Sequence, residues 1–308
     1  MSIQVVFLGT AGSIPTQSRS LPAIAIKRKG ELILWDCGEG VQRQMIIAGL
    51  GFNKRTRIFI THMHGDHLFG LLGLIQTMSL LHREKELQIY GPPALKPYLE
   101  ALEGTVQYRL TFPVEVTPIT KEGPICVDNE YEISAAYADH WETAFAFSLA
   151  EKRRPGKFHP EKARALGVPE GVLWSKLQHG STVTVQDERR VEPEDVIGPA
   201  RPGRKIVYTG DTRPFPSLVQ FARGADLLIH ECTFDDDLAE RAYEDRHSTP
   251  TQAAETARDA EVDQLILTHI SARYNSILHL LTQAQRVFSN VAVAEDFMRV
   301  DLPLKNAS

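Results

Sequence analysis

The stretch Ile58-Phe59-Ile60-Thr61-His62-Met63-His64-Gly65-Asp66-His67 decides how this chain folds. Its apolar start reads as a buried strand, and the apolar run 68–81 beyond it reads as a helix, so the polar residues form the loop between them. Four potential metal ligands, His62, His64, Asp66 and His67, fall within six residues. In extended chain His62 and His64 point the same way. Gly65 permits the turn that swings Asp66 and His67 toward the same space. Imidazoles with a carboxylate suit Zn²⁺ and, less well, Mn²⁺. A surface loop of ordinary histidines is the plain alternative, and neither this density nor the matching partners downstream fit it.

Outward from that loop, strands and helices alternate. Toward the N-terminus come a strand at 3–8, the loop Gly9-Thr10-Ala11-Gly12-Ser13, a hairpin with arms 23–26 and 32–35, and a helix over 39–50. After the loop come a strand at 87–90 and a helix over 94–102. Further strands are predicted at 132–138, 205–209, 226–230 and 264–268. They run into Asp139-His140, Gly210-Asp211-Thr212, His230-Glu231 and His269. Pro250 near a first helical position starts a helix to about Ala260, and another covers 278–288. Strands followed by helices, with chemistry at strand ends, indicate an α/β layered fold whose site lies at the sheet edges.

The chain has 308 residues, 43% hydrophobic, enough for one large domain or two halves sharing a core. No run approaches a membrane span. The N-terminal residues Met1-Ser2-Ile3-Gln4-Val5 enter a strand directly, without a signal-peptide pattern, so a cytoplasmic location is expected. Cys37, Cys126 and Cys232 lie far apart and read as buried thiols in a reducing compartment. The net charge of −5 excludes a globally basic, nucleic-acid-coating surface, so any such surface is local. One segment, 151–180, stands out. Its first fourteen residues hold six basic side chains (Lys152, Arg153, Arg154, Lys157, Lys162, Arg164) against Glu151 and Glu161. With Trp174 and the breaks at Pro155-Gly156 and Pro169-Glu170-Gly171, it reads as a protruding arm suited to a polyanion.

His62, His64, Asp66, His67, His140, Asp211 and His269 make seven ligands. That exceeds one tetrahedral ion and fits two with a carboxylate between them. Two ions about 3.5–4 Å apart stabilise both the attacking and the leaving oxygen of a phosphodiester.

The His62-x-His64-x-Asp66-His67 pattern resembles the signature of the metallo-β-lactamase superfamily. Gly210-Asp211-Thr212-Arg213, His230-Glu231-Cys232-Thr233, His247-Ser248-Thr249 and Thr268-His269-Ile270-Ser271-Ala272-Arg273-Tyr274 narrow it to the ribonuclease Z family, over nearly the whole chain. The resemblance implies a four-layer αβ/βα sandwich, one catalytic domain over 1–308, and an inserted flexible tRNA-binding arm at 151–180. It implies a homodimer that removes the 3′ trailer from precursor tRNA. It also implies zinc, two per subunit, with Mn²⁺ as a substitute. His62, His64 and His140 would hold one ion, Asp66, His67 and His269 the other, and Asp211 would bridge. Asp66 would orient or deprotonate the attacking water, and His247 with Glu231 would protonate the leaving oxygen. Asp36 would brace the histidine loop, Arg273 would hold a phosphate, and Lys152, Arg153, Arg154 and Lys157 would grip tRNA. Ala11 and Ser20 stand where the family usually has glycine and asparagine, and Gly171-Val172 where it has Gly-Pro. His82, His159, His179, His230 and His279 match no ligand motif. A small-molecule phosphodiesterase of the same fold and a non-catalytic RNA-binding protein are the competing readings.

Overall fold

In the computed structural model, which describes residues 3–106, 109–141 and 143–305, the central strands divide their side chains by parity. Ile3, Val5 and Phe7 enter one core, while Val6 and Leu8 enter another. Ile33 and Trp35 oppose Leu32 and Leu34 in the same way, and Ile206 and Tyr208 oppose Val207. Period-two strands buried on both faces read as continuous apolar runs, which is why the sequence showed them plainly.

Two seven-stranded sheets result. The first runs Arg299–Leu302, Ile3–Gly9, Ala23–Arg28, Glu31–Trp35, Arg55–Phe59, Leu87–Gly91, Val114–Pro118. The second runs Val291–Val293, Leu265–Thr268, Leu227–Glu231, Lys205–Tyr208, Phe145–Glu151, Tyr131–Tyr137, Gly123–Val127. One core, rich in Phe7, Trp35, Phe59, Phe147 and Tyr208, is shared by the facing sides of both sheets. A helical layer packs on each outer side, with Val41–Ile47 and Gly70–Leu80 on the first sheet and Pro250–Asp259 and Leu278–Gln285 on the second. This is the expected four-layer αβ/βα arrangement.

Several bounds differ from expectation, each for a local reason. The helix expected at 68–81 is two pieces, Gly65–Leu68 and Gly70–Leu80. At the break the Gly70 N–H leaves the helix ladder and donates to the Cys37 carbonyl at 2.9 Å. The helix expected at 39–50 spans Val41–Ile47, and Gly49 (φ 68°) ends it in the left-handed region. The last helix stops at Gln285, where the N–H groups of Val287 and Phe288 both turn onto the Ala284 carbonyl. Five strands of the two large sheets gave no sequence signal. Val114–Pro118 and Gly123–Val127 are edge strands carrying proline and half-exposed side chains. Val291–Val293 and Arg299–Leu302 are short edges. Phe145–Glu151 is interior, but alanine and serine interrupt its apolar run.

A separate compact unit covers Ala150–Arg204 and the C-terminal residues from Leu304 on, longer than the 151–180 segment. Its two legs pair antiparallel at Arg154 with Arg201 and Phe158 with Ile197. They approach closely because a Cβ on Gly156 would lie 1.8 Å from the Gly198 carbonyl oxygen. Beyond the legs, helices Pro160–Ala165 and Val172–Gln178 enclose a small core of Ala163, Val168, Leu177, Val183, Val191 and Val196. Trp174 is spent on that core. It packs on Phe158, and its indole N–H donates to the Val168 carbonyl at 3.0 Å. At the base, Arg204 forms a bidentate pair with Glu151, at 2.8 and 2.9 Å. Lys152, Arg153 and Lys157 are exposed, whereas Arg154 is half-buried and donates to the Lys305 carbonyl.

Candidate active site

All seven expected ligands follow strands of the two sheets. His62, His64, Asp66 and His67 follow Arg55–Phe59, Asp211 follows Lys205–Tyr208, and His269 follows Leu265–Thr268. These three strands belong to the parallel parts of their sheets. His140 follows Tyr131–Tyr137. Loops at the carboxyl ends of parallel strands converge, which brings residues from both halves of the chain together.

Two groups form. In one, Nε2 of His67 and of His269 each lie 3.3 Å from Asp211 Oδ2 and 3.3 Å from each other. Asp66 Oδ2 lies 3.6 and 3.4 Å from the same two nitrogens. Ligands about 2.0–2.1 Å from a tetrahedral ion are separated by about 3.4 Å, so these four atoms have the spacing of a coordination shell. In the other, His140 Nε2 lies 3.3 Å from His64 Nδ1, while His62 Nε2 and His140 Nε2 lie 3.8 and 4.0 Å from Asp211 Oδ2. Asp211 is common to both groups. Two atoms at this point, His62 Nε2 and Asp211 Oδ1, are buried with no hydrogen-bond partner. Buried polar atoms left bare cost free energy unless something binds them. Bare atoms, ligand-shell spacing and an all nitrogen-and-oxygen donor set fit divalent cations.

His67, His140 and His269 each present a defined nitrogen because the other nitrogen is engaged. His67 Nδ1 donates to Asp36 at 2.7 Å, His140 Nδ1 to the Arg246 carbonyl at 2.9 Å, and His269 Nδ1 to Thr233 Oγ1 at 2.8 Å. Asp36, fully buried, also accepts from the Thr61 N–H and hydroxyl and from the Tyr208 hydroxyl, at 2.8–3.0 Å. Asp36 and His269 hold left-handed φ angles of 59° and 58°, an uncommon backbone state concentrated at functional sites. The loop 9–20 reaches the site as well. Ala11–Gly12 pairs with Ile270–Ser271, the Ser13 N–H donates to Asp66 Oδ2 at 2.9 Å, and the Ser20 N–H is held by Asp296 at 2.7 Å.

The electrostatics are those of a crowded buried cluster. Burial, with His67 next to it, pushes His62 well below the usual histidine range. Burial lowers His140 as well. His67 is the reverse. Burial opposes its charge, but Asp211, Asp66 and Asp36 hold its proton well above the usual range. Asp66 and Asp211 stay ionised far below the ordinary carboxylate range, because neighbouring imidazoles outweigh burial.

His247 stands beside the cluster, its Nδ1 2.8 Å from Glu231 Oε1. Glu231 is fully buried and also accepts from the N–H groups of Thr212 and Thr233 and the Thr233 hydroxyl. Burial alone would lower His247, but the Glu231 carboxylate raises it to about 9. A cleft of about 470 Å³ opens here, lined by His64, Asp66, His140, Asp211, His247 and Arg273. Arg273 lies over the Phe234 ring at 4.7 Å, its Nε donates to Ser271, and among the described residues it has no acidic partner.

Sequence reasoning assigned no role to Tyr208, Thr233 or the Arg246 carbonyl. Tyr208 left one usable signal. A tyrosine inside a buried strand needs a partner for its hydroxyl, and this one stands three residues before Asp211. His82, His159, His179, His230 and His279 lie outside both ligand groups.

Comparisons with known proteins place the chain among related sequences and folds. The Anti-Pycsar protein Apyc1 family matches residues 3–154, and the beta-lactamase superfamily domain matches 153–270. The ribonuclease Z of Myxococcus xanthus is 44% identical over 306 residues, covering 99% of each chain. Among solved structures, human tRNase Z, short form, is similar with a TM-score of 0.71 and 28% identity over 98% of this chain and 100% of that one. The metallo-beta-lactamase fold protein YhfI from Bacillus subtilis is similar in fold, with a TM-score of 0.70 and 19% identity over 97% of this chain and 99% of that one.

Proposed function

This chain belongs to the ribonuclease Z family, and from that premise we propose that it removes the 3′ trailer from precursor tRNA by hydrolysing one phosphodiester. The products are a 3′-hydroxyl on the tRNA and a 5′-phosphate on the trailer. The observation that carries this reading is the pair of ligand groups joined at Asp211 beneath the His247–Glu231 pair, in a chain that matches ribonuclease Z from end to end.

His62, His64 and His140 would hold one zinc, Asp66, His67 and His269 the other, with Asp211 common to both groups; Mn²⁺ would satisfy the same donors. Cations bound there would supply a water ionisable near neutrality and neutralise phosphate charge. Asp66, fixed by the Ser13 N–H and held ionised by the neighbouring imidazoles, orients the attacking water. Arg273, whose guanidinium is not drawn to a carboxylate, receives a phosphate oxygen. His247, kept protonated by Glu231, donates to the departing 3′-oxygen. Glu231 thus acts through His247, and Asp36 acts through His67. The exposed Lys152, Arg153 and Lys157 contact tRNA phosphates, with Arg154 behind them. The enzyme is a cytoplasmic homodimer in which one protomer's arm holds tRNA for its partner's cleft. No helix among the described residues is long and apolar enough to cross a membrane.

The test is cleavage of a 3′-extended precursor tRNA by wild type, His64→Ala and Asp66→Ala, mapped at nucleotide resolution. One wild-type cut after the discriminator nucleotide, lost in both variants, is expected. No cut by the zinc- or manganese-loaded wild type, with a small phosphodiester still hydrolysed, would move the function to a small-molecule phosphodiesterase.

A further inference from the structure

Of the three tryptophans, Trp35 is fully buried and Trp174 packs in the core of the arm, but Trp141 is 49% exposed. An open indole is an unfavourable use of a large apolar ring, unless a ligand covers it. Trp141 lines the cleft together with His64, Asp66, Asp211 and His247, and it directly follows His140.

Its position is fixed by a short set of bonds. The Arg246 guanidinium carbon lies 4.6 Å from the ring centroid. Arg246 NH1 donates to the His140 carbonyl at 2.8 Å, and the Arg246 carbonyl accepts from His140 Nδ1 at 2.9 Å. Arg246 itself holds a left-handed φ of 58°. On the other side of His140, Asp139 is clamped by Arg213 through two bonds of 3.1 and 3.2 Å, and its N–H donates to Thr212, next to Asp211. The indole therefore rides on the same backbone that sets His140. The guanidinium occupies one face of the ring, and the indole N–H has no protein partner among the described residues.

We infer that Trp141 is a stacking platform for a nucleobase flanking the scissile phosphate, with Arg246 as the cation behind it. This rests on the proposed function and deepens it, because Trp141 and Arg273 line the same cleft, so a phosphate received by Arg273 has its neighbouring nucleoside within reach of the wall that Trp141 forms. Stacking is tolerant of base identity, so Trp141 contributes hold on the substrate without restricting its sequence. The open ring and its cationic backing match a planar aromatic ligand rather than a second phosphate.

The test compares precursor tRNAs bearing a single abasic nucleotide at each position flanking the cut with the intact precursor, in wild type, Trp141→Ala and Trp141→Phe. In wild type, loss of one particular base should lower kcat/KM by about five- to a hundredfold, the worth of one base–aromatic stack. In Trp141→Ala the intact precursor should already show that loss and the abasic one no more, while Trp141→Phe should recover most of the sensitivity. Each variant is read as a ratio between two substrates, so a general loss of folding or metal cancels. An abasic penalty of the same size in wild type and Trp141→Ala at every position would overturn the stacking role alone. A wild type that cuts no precursor tRNA would remove the proposed function and this inference with it.

Discussion

Asp36 accepts hydrogen bonds from Thr61 N–H, Thr61 Oγ1, Tyr208 and His67. Four donors on one buried carboxylate hold the His67 ring in a single orientation. Asp36→Ala should weaken metal binding by about 10–100-fold. Tyr208→Phe, which keeps three of the four donors, should weaken it less and cost about 1 kcal/mol of stability; competition with a chelator and denaturant unfolding check both. In the metal-free chain His67 carries a proton between Asp36 and Asp211. Metal uptake must displace it, so loading should release protons and weaken as pH falls. Calorimetry in buffers of differing ionisation enthalpy measures that release. His247→Ala should lower kcat by about 10²–10⁴-fold. As the proposed acid, His247 would act in its protonated form, so kcat should fall as pH rises through its pKa. That limb should lie at or below about 9, since bound cations pull it down from the value Glu231 sets. It should move to lower pH in Glu231→Gln and vanish in His247→Ala. The candidate ligands themselves were legible because four fall within six residues and the others follow recognisable strands. Asp36 was legible as their brace through its motif, but Tyr208 was not, since it stands 172 residues from Asp36 and only the fold introduces them.

Among the elements, the helix Gly70–Leu80 is pressed against the loop after Glu31–Trp35. A Cβ on Gly70 would lie 1.9 Å from the Gly38 carbonyl oxygen, a backbone atom with no rotamer to yield. Gly70→Ala should therefore force the two segments apart, at a cost of about 1–3 kcal/mol or more, and loosen Asp36 and His67 at the same time. A lower melting temperature together with weaker metal binding is the expected pair of results; a change in neither would show that the contact relaxes freely. Strand signals tracked burial. Runs buried on both faces, such as Glu31–Trp35 and Leu227–Glu231, were evident, whereas half-exposed edges such as Gly123–Val127 carry too few apolar side chains to register. The arm's charge was visible in the sequence, but its small core was not. Six aliphatic residues scattered over 163–196 form no period until the two legs close.

At the scale of the whole molecule, the basic excess of the arm is spread thin. The unit 150–204 holds eleven basic and eight acidic residues, with the exposed Lys152, Arg153 and Lys157 near its base. Removing 152–203 and joining the ends through a short glycine turn should leave metal binding and the sheet core intact and abolish cutting of precursor tRNA. If the proposed homodimer forms and arm and cleft serve one another across it, mixing that variant with Asp66→Ala under conditions that exchange protomers should restore cutting. No restoration would mean that each arm serves its own chain. The N–H of Glu151 donates to the Arg204 carbonyl at 2.8 Å, so the insertion begins and ends at neighbouring peptide groups. A loop of some fifty residues closed at its own base places little entropic strain on its host. Such a module is interchangeable. If the unit is the proposed RNA-holding arm, recombination can exchange it while the hydrolytic machinery is inherited unchanged, which leaves the choice of substrate and the chemistry free to evolve at different rates.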